Sequence, residues 1–194
     1  MTRRPDFPLW RGTAAIVLGV VGCAASVASI YATPVNGVAG LGCGIEALSC
    51  DTALTSRFSR IGPVPLGAFG LFYFSFWTLN LRAFLRTGDA IYQRVFSWVT
   101  ALGAVASLAL GGILFLVLHA PCLYCLVSHT ANLASVILLW PLFDWKFDFR
   151  FRSDHFWHFL SLAAISALAA GLLYQLDVNR TLRAQLETDI QTIW

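Results

Sequence analysis

The stretch PCLYCLVSHTANLASVILLWPLF, residues 121–143, carries the signals that decide both fold and chemistry. After Pro121 it contains no Asp, Glu, Lys or Arg. A helix needs about 20 mainly apolar residues to cross a bilayer, so Cys122 to Phe143 reads as a membrane span. The span opens with Cys122-Leu123-Tyr124-Cys125. Residues three apart share a helix face, and the partial positive charge at a helix amino terminus stabilises a thiolate. Pro121 suits the helix entry, where its missing N–H costs nothing. The pair fits thiol redox chemistry. Taken alone, the motif also reads as two small apolar residues in a membrane helix, or as half of a metal site.

The same face continues inward. Cys122, Cys125, His129 and Asn132 stand at offsets of zero, three, seven and ten, which is one helical stripe. At a rise of about 1.5 Å per residue, Asn132 lies about 10 Å deeper than Cys125. Polar groups at membrane depth are costly and face a cavity or a partner. A quinone pocket fits this pattern, an apolar bed with one or two groups for the ring oxygens. Hydrogen bonds to a neighbouring helix fit it as well, and Asn132 suits that structural role better than His129 does.

Four more apolar stretches flank this one, at about Thr13 to Ala32, Leu66 to Leu85, Val95 to Leu118 and Phe156 to Leu176. The second is the least clean, because Asn80 and Arg82 sit near its end and Arg82 must snorkel. The first has the basic start of a signal peptide, but its apolar run is long for one, so it reads as a retained span. The chain of 194 residues is 58% hydrophobic and only 12% charged, about half the charge of a soluble domain. The expected fold is therefore an all-α membrane protein, one integral membrane domain over residues 1–194 with five spans. No basic run is interleaved with aromatics, which excludes a nucleic-acid groove. Polar residues from Asp177 to Trp194, with Leu182, Leu186 and Ile190 at four-residue spacing, predict a short amphipathic helix after the last span.

Basic residues orient the bundle. Arg3, Arg4, Arg11, Arg82, Arg86, Arg94, Lys146, Arg150 and Arg152 fall on one side, and only Arg57, Arg60, Arg180 and Arg183 on the other. The positive-inside rule places the amino terminus in the cytoplasm and the carboxyl terminus outside, in an inner or plasma membrane. The segment 33–65 then lies outside with Cys43 and Cys50, and Cys122 and Cys125 open the fourth span from the same side. Disulfides persist on that side of a membrane. The loop pair closes a small ring if oxidised, and Gly37, Gly40, Gly42 and Gly44 give its approach the freedom a moving shuttle requires. A static structural disulfide has the same spacing. Residues Asp51 to Phe58 suit a short helix lying on the bundle with Leu54 and Phe58 to one side. Cys23, in mid-span, reads as a packing residue.

Taken together, Cys50-Asp51-x-x-Leu54-x-Ser56-x-x-Ser59, then Gly62-x-x-Pro65-x-Gly67-x-x-Gly70-Leu71-x-Tyr73, then Cys122-x-x-Cys125 resemble the vitamin K epoxide reductase family in its bacterial form. The resemblance covers about Thr13 to Trp140. It implies a four-helix transmembrane bundle around a quinone, with a fifth transmembrane helix. It implies that Cys43 meets a thioredoxin-fold partner, that Cys50 links to Cys122, and that Cys125 contacts the quinone. Ser56 matches a serine implicated near the quinone pocket, so the quinone-binding set is Cys125, His129, Ser56 and Asn132. The expected acceptor is a membrane quinone, ubiquinone or menaquinone, with no metal. Nothing after the fifth span looks like a thioredoxin domain, so the expected partner is a separate thioredoxin-fold protein outside the cytoplasm, and the expected outcome is support of disulfide bond formation. Another quinone-linked disulfide oxidase family places its Cys-x-x-Cys in the first outer loop, whereas here that motif opens the fourth helix. A metal-binding protein with four thiolates, or a structural protein with static disulfides, is the rival class.

Overall fold

In a computed structural model, the structure describes residues 8–32, 48–145 and 153–193. It is almost entirely helical. Helix α1 spans Leu9–Ala32, α2 Cys50–Thr55, α3 Leu66–Thr87, α4 Ala90–Gly112, α5 Leu123–Leu139 and α6 Ser153–Ile193. One 3-10 turn, Arg57–Ser59, and a two-stranded antiparallel hairpin, β1 Arg60–Ile61 and β2 Val64–Pro65, join α2 to α3. Helix α4 widens into a π-turn over Ile113–Val117, and α5 tightens into a 3-10 turn over Trp140–Leu142.

Helices α1, α3, α4 and α5 pack as a four-helix bundle, and α6 lies against α3. The architecture is that of an all-α membrane protein, as the composition requires. Small residues let α1 and α3 approach closely. A side chain at Gly22 would run into the Phe74 ring, and one at Gly67 would meet the Ser26 carbonyl and Ile30 at 2.9 Å. Such contacts drive helix association where lipid removes the hydrophobic incentive. The α3–α4 turn is set locally. Gly88 adopts a left-handed conformation (φ 71°), and its N–H closes on the Phe84 carbonyl at 2.8 Å.

Five spans were expected. Among the described residues, four helices are long and apolar enough to cross a membrane, Trp10–Ala32, Ala90–Val117, Leu123–Leu142 and His155–Glu187. Helix α3 has 22 residues, long enough to cross, but Asn80, Arg82 and Arg86 make it less apolar. Asn80 is fully buried and its Nδ2 donates to the Tyr92 carbonyl at 3.3 Å, so the side chain sits inside the bundle. The third span starts earlier than expected, at Ala90. The fifth stretch and the tail helix are one element. No Gly or Pro occurs between Leu172 and Ile193, so nothing ends α6 at the expected boundary. Its Leu182, Leu186 and Ile190 are exposed.

Candidate active site

Cys122 is the extended residue immediately before α5 (φ −111°, ψ 127°) and is completely buried. Cys125 stands on the first turn of that helix, partly buried, and its thiol hydrogen-bonds the Cys122 sulfur. Both are free thiols, as is Cys23, which lies 3.6 Å from the Ser75 hydroxyl. Cys50, the first residue of α2, is in a disulfide and only 2% exposed. Cys43 lies outside the described residues.

Cys50 and Cys122 belong to one buried apolar cluster with Ala32, Ala53, Leu54 and Leu114, and Cys125 packs against its edge. Helix α2 puts Cys50 there because Ala53 and Leu54 bury its inner face against the bundle. The predicted helix Asp51–Phe58 is thus a six-residue helix followed by a separate turn. Ser56 is the reason for the break. It is extended (ψ 156°), and its hydroxyl donates to the Ala53 carbonyl at 2.8 Å.

Beside this cluster is a mostly apolar cavity of about 410 Å³. That volume is in the range of small-molecule sites. Its wall includes Cys125, His129 and Asn132 from α5, and Ser56 and Phe58 from the turn after α2. All four residues expected around a quinone therefore face one space. Cys122 is not on the wall, so the helix pair bridges the buried cluster and the cavity. Neither His129 nitrogen has a hydrogen-bond partner among the described residues, which leaves the ring available to a ligand.

Two cavity residues had not been singled out. The Tyr73 hydroxyl on α3 donates to Asn132 Oδ1 at 2.6 Å, and Asn132 Nδ2 donates to Ser107 Oγ on α4 at 2.9 Å. Asn132 thus fulfils the structural role read for it while lining the cavity. Tyr73 falls inside the motif run 50–73, which was the one available signal. Ser107, a lone hydroxyl in an apolar span, gave only the general cost of burying a polar group.

Comparison with protein-family models matches residues 13–140 to the vitamin K epoxide reductase family. The chain belongs to the vitamin K epoxide reductase family. No match was found among curated proteins or solved structures. Membership makes the protein a multi-pass membrane oxidoreductase. The vitamin K epoxide reductase family in general uses quinone and works with thioredoxin-like partners. The matched residues contain all four paired cysteines and the whole cavity stripe, whereas α6 lies beyond them.

Proposed function

We propose that the chain passes electrons from a separate thioredoxin-fold protein through Cys43/Cys50 to Cys122/Cys125 and on to a membrane quinone, ubiquinone or menaquinone, in support of disulfide bond formation. The carrying observation is that Cys122 shares a buried cluster with Cys50 while Cys125 lines the adjacent cavity. The thiols can thus exchange on one side and meet a flat apolar acceptor on the other.

The sequence of exchanges balances. The partner dithiol reduces the Cys43–Cys50 disulfide and becomes a disulfide. The Cys50 thiolate attacks Cys122 of an oxidised Cys122–Cys125 pair, forming a Cys50–Cys122 bond and releasing Cys125. Cys43 then attacks Cys50, restoring the loop disulfide and leaving Cys122 and Cys125 as thiols. Exchange of this kind proceeds through mixed disulfides. The two thiols give two electrons and two protons to the quinone and return to the disulfide. The helix amino terminus favours the Cys122 thiolate as a leaving group.

Cys125, His129, Ser56 and Asn132 form the quinone-facing set in this proposal. His129 offers a hydrogen bond to a ring oxygen as negative charge develops there. The Ser56 hydroxyl gives its proton to the Ala53 carbonyl, so its oxygen is left to accept the O–H of the reduced quinol. The chain is one integral membrane domain in which α3 also crosses the bilayer, its Arg82 and Arg86 reaching the interface. The amino terminus is cytoplasmic, and the redox cysteines and carboxyl terminus are extracytoplasmic. Among the described residues, no three His, Cys, Asp or Glu side chains are grouped to hold a metal.

Mass mapping of a Cys125→Ala protein tests the path. With Cys125 gone, Cys122 cannot form its own disulfide; its thiolate attacks Cys50 of the loop disulfide and releases Cys43, so a Cys50–Cys122 disulfide should be enriched. A Cys43–Cys122 disulfide in its place would reverse the roles of the loop cysteines.

A further inference from the structure

Helix α6 is fastened to the rest of the chain by polar contacts at one end of the bundle. The Arg180 guanidinium bonds the Asp177 carboxylate at 2.9 Å and, from the same nitrogen, donates to the Tyr31 carbonyl at 3.2 Å. It also lies over the Tyr31 ring, 4.9 Å from its centre. Tyr31 is in the last turn of α1, where carbonyls have no partner within the helix and an arginine suits them well. The Asp177 side chain is only 3% exposed, and the Arg60 guanidinium on β1 adds its charge beside the same carboxylate. Nearby on α6, the Tyr174 hydroxyl donates to the Pro63 carbonyl, between β1 and β2, at 3.2 Å.

These contacts hold the chain on either side of the thiol junction. Ala32, which follows Tyr31, belongs to the buried cluster with Cys50 and Cys122. Arg60 and Pro63 lie in the hairpin that follows α2, the helix that Cys50 opens. Tyr31, Tyr174, Asp177 and Arg180 are not on the cavity wall. A buried carboxylate stripped of its cation is strongly unfavourable, so Asp177 fixes where Arg180 sits. Disulfide exchange needs the attacking sulfur lined up on its target, and a displacement of about 1 Å can cost about 100-fold in rate. Resting on the reading that Cys50 and Cys122 exchange, we propose that Asp177 and Arg180 are positioning residues for that step. They clamp the end of α1 and the hairpin after α2 to α6, and so hold Cys50 against Cys122 without touching either sulfur. Both residues lie beyond the matched stretch 13–140.

The test uses the full chain in lipid, oxidised and then given one equivalent of reduced thioredoxin. Acid quenching and alkylation time the passage of thiols from Cys43/Cys50 to Cys122/Cys125. Quinol formation by the fully reduced protein with a short-tailed ubiquinone is timed separately. Arg180→Gln should slow the first step about 10-fold and leave the second unchanged. Arg180→Lys keeps the charge and should recover most of the rate. Asp177→Asn should slow the same step, and the double variant should be no slower than the slower single one, because the two residues act as one unit. Should the charge variants fail to fold, Tyr174→Phe removes one hydroxyl from the same fastening and should slow exchange about 3-fold. Exchange at the wild-type rate in folded Arg180→Gln, or in Tyr174→Phe where Arg180→Gln does not fold, would overturn the assignment. So would equal slowing of both steps, or Arg180→Lys as slow as Arg180→Gln. If the wild type passes no thiols from the loop pair to the helix pair, the underlying reading falls and takes the assignment with it.

Discussion

Cys50 on α2 and Cys122 at the mouth of α5 are 72 positions apart in the chain and share one buried apolar cluster, 2% and 0% exposed. Burial keeps small-molecule thiols away from this junction, so exchange between the two elements is favoured over leakage. Cys122→Ala should stop electrons at the loop. Its partner-reduced loop thiols should remain reduced when quinone is added, as read by alkylation and mass spectrometry. Reoxidation of the loop at the wild-type rate would mean that the quinone is reached without Cys122.

His129 lines the cavity one turn below Cys125 and has no hydrogen bond among the described residues. His129→Ala should leave folding and exchange between the cysteine pairs intact. Quinone reduction should weaken by about 1–3 kcal/mol, the usual cost of removing one buried hydrogen-bond partner. Stopped-flow measurement of the two half-reactions separates them. Unchanged quinone kinetics would return His129 to a packing role.

How much of this site was visible in the sequence follows the range of each interaction. The Cys122–Cys125 motif and the stripe to Asn132 are local, so helical spacing alone exposes them. The pairing of Tyr73 with Asn132 spans 59 positions and depends on how α3 and α5 meet. No spacing rule reaches it. Gly103 was equally silent, since its role is to leave space for the Tyr73 hydroxyl on α3. Helix α3 was the weakest span in the sequence for the reason it is the weakest in the fold. Asn80 belongs to the bundle interior, and hydropathy counts it against the helix without regard to the face it occupies. The change from apolar to polar composition near Asp177 suggests a helix boundary, yet α6 runs on to Ile193 because no breaking residue occurs there.

Packing of α1 on α3 gives a stability prediction. Gly22 abuts the Phe74 ring, with no room for a Cβ, whereas Gly111 has nothing within 4 Å. Gly22→Leu should destabilise the protein by about 1–3 kcal/mol, the cost of overpacking a well-filled core. Gly111→Ala should leave the unfolding temperature in detergent unchanged or slightly raised. Equal melting of the two variants would contradict the close α1–α3 contact.

Topology is open to labelling. The uneven distribution of basic residues predicts that Cys43, Cys50 and the carboxyl terminus lie outside the cytoplasm. A membrane-impermeant thiol reagent, applied to intact cells after mild reduction, should modify the loop cysteines. Reaction only after lysis would invert the bundle.

The most direct measurement of the central claim is turnover by the purified protein in lipid. Reduced thioredoxin-fold partner and ubiquinone are supplied, and partner disulfide and quinol are counted together. One quinol should form for each partner disulfide, and Cys122→Ser or Cys125→Ser should abolish the coupling while the partner still reduces the loop pair. Partner oxidation that proceeds without quinol, or quinol formation that survives loss of Cys125, would contradict the path.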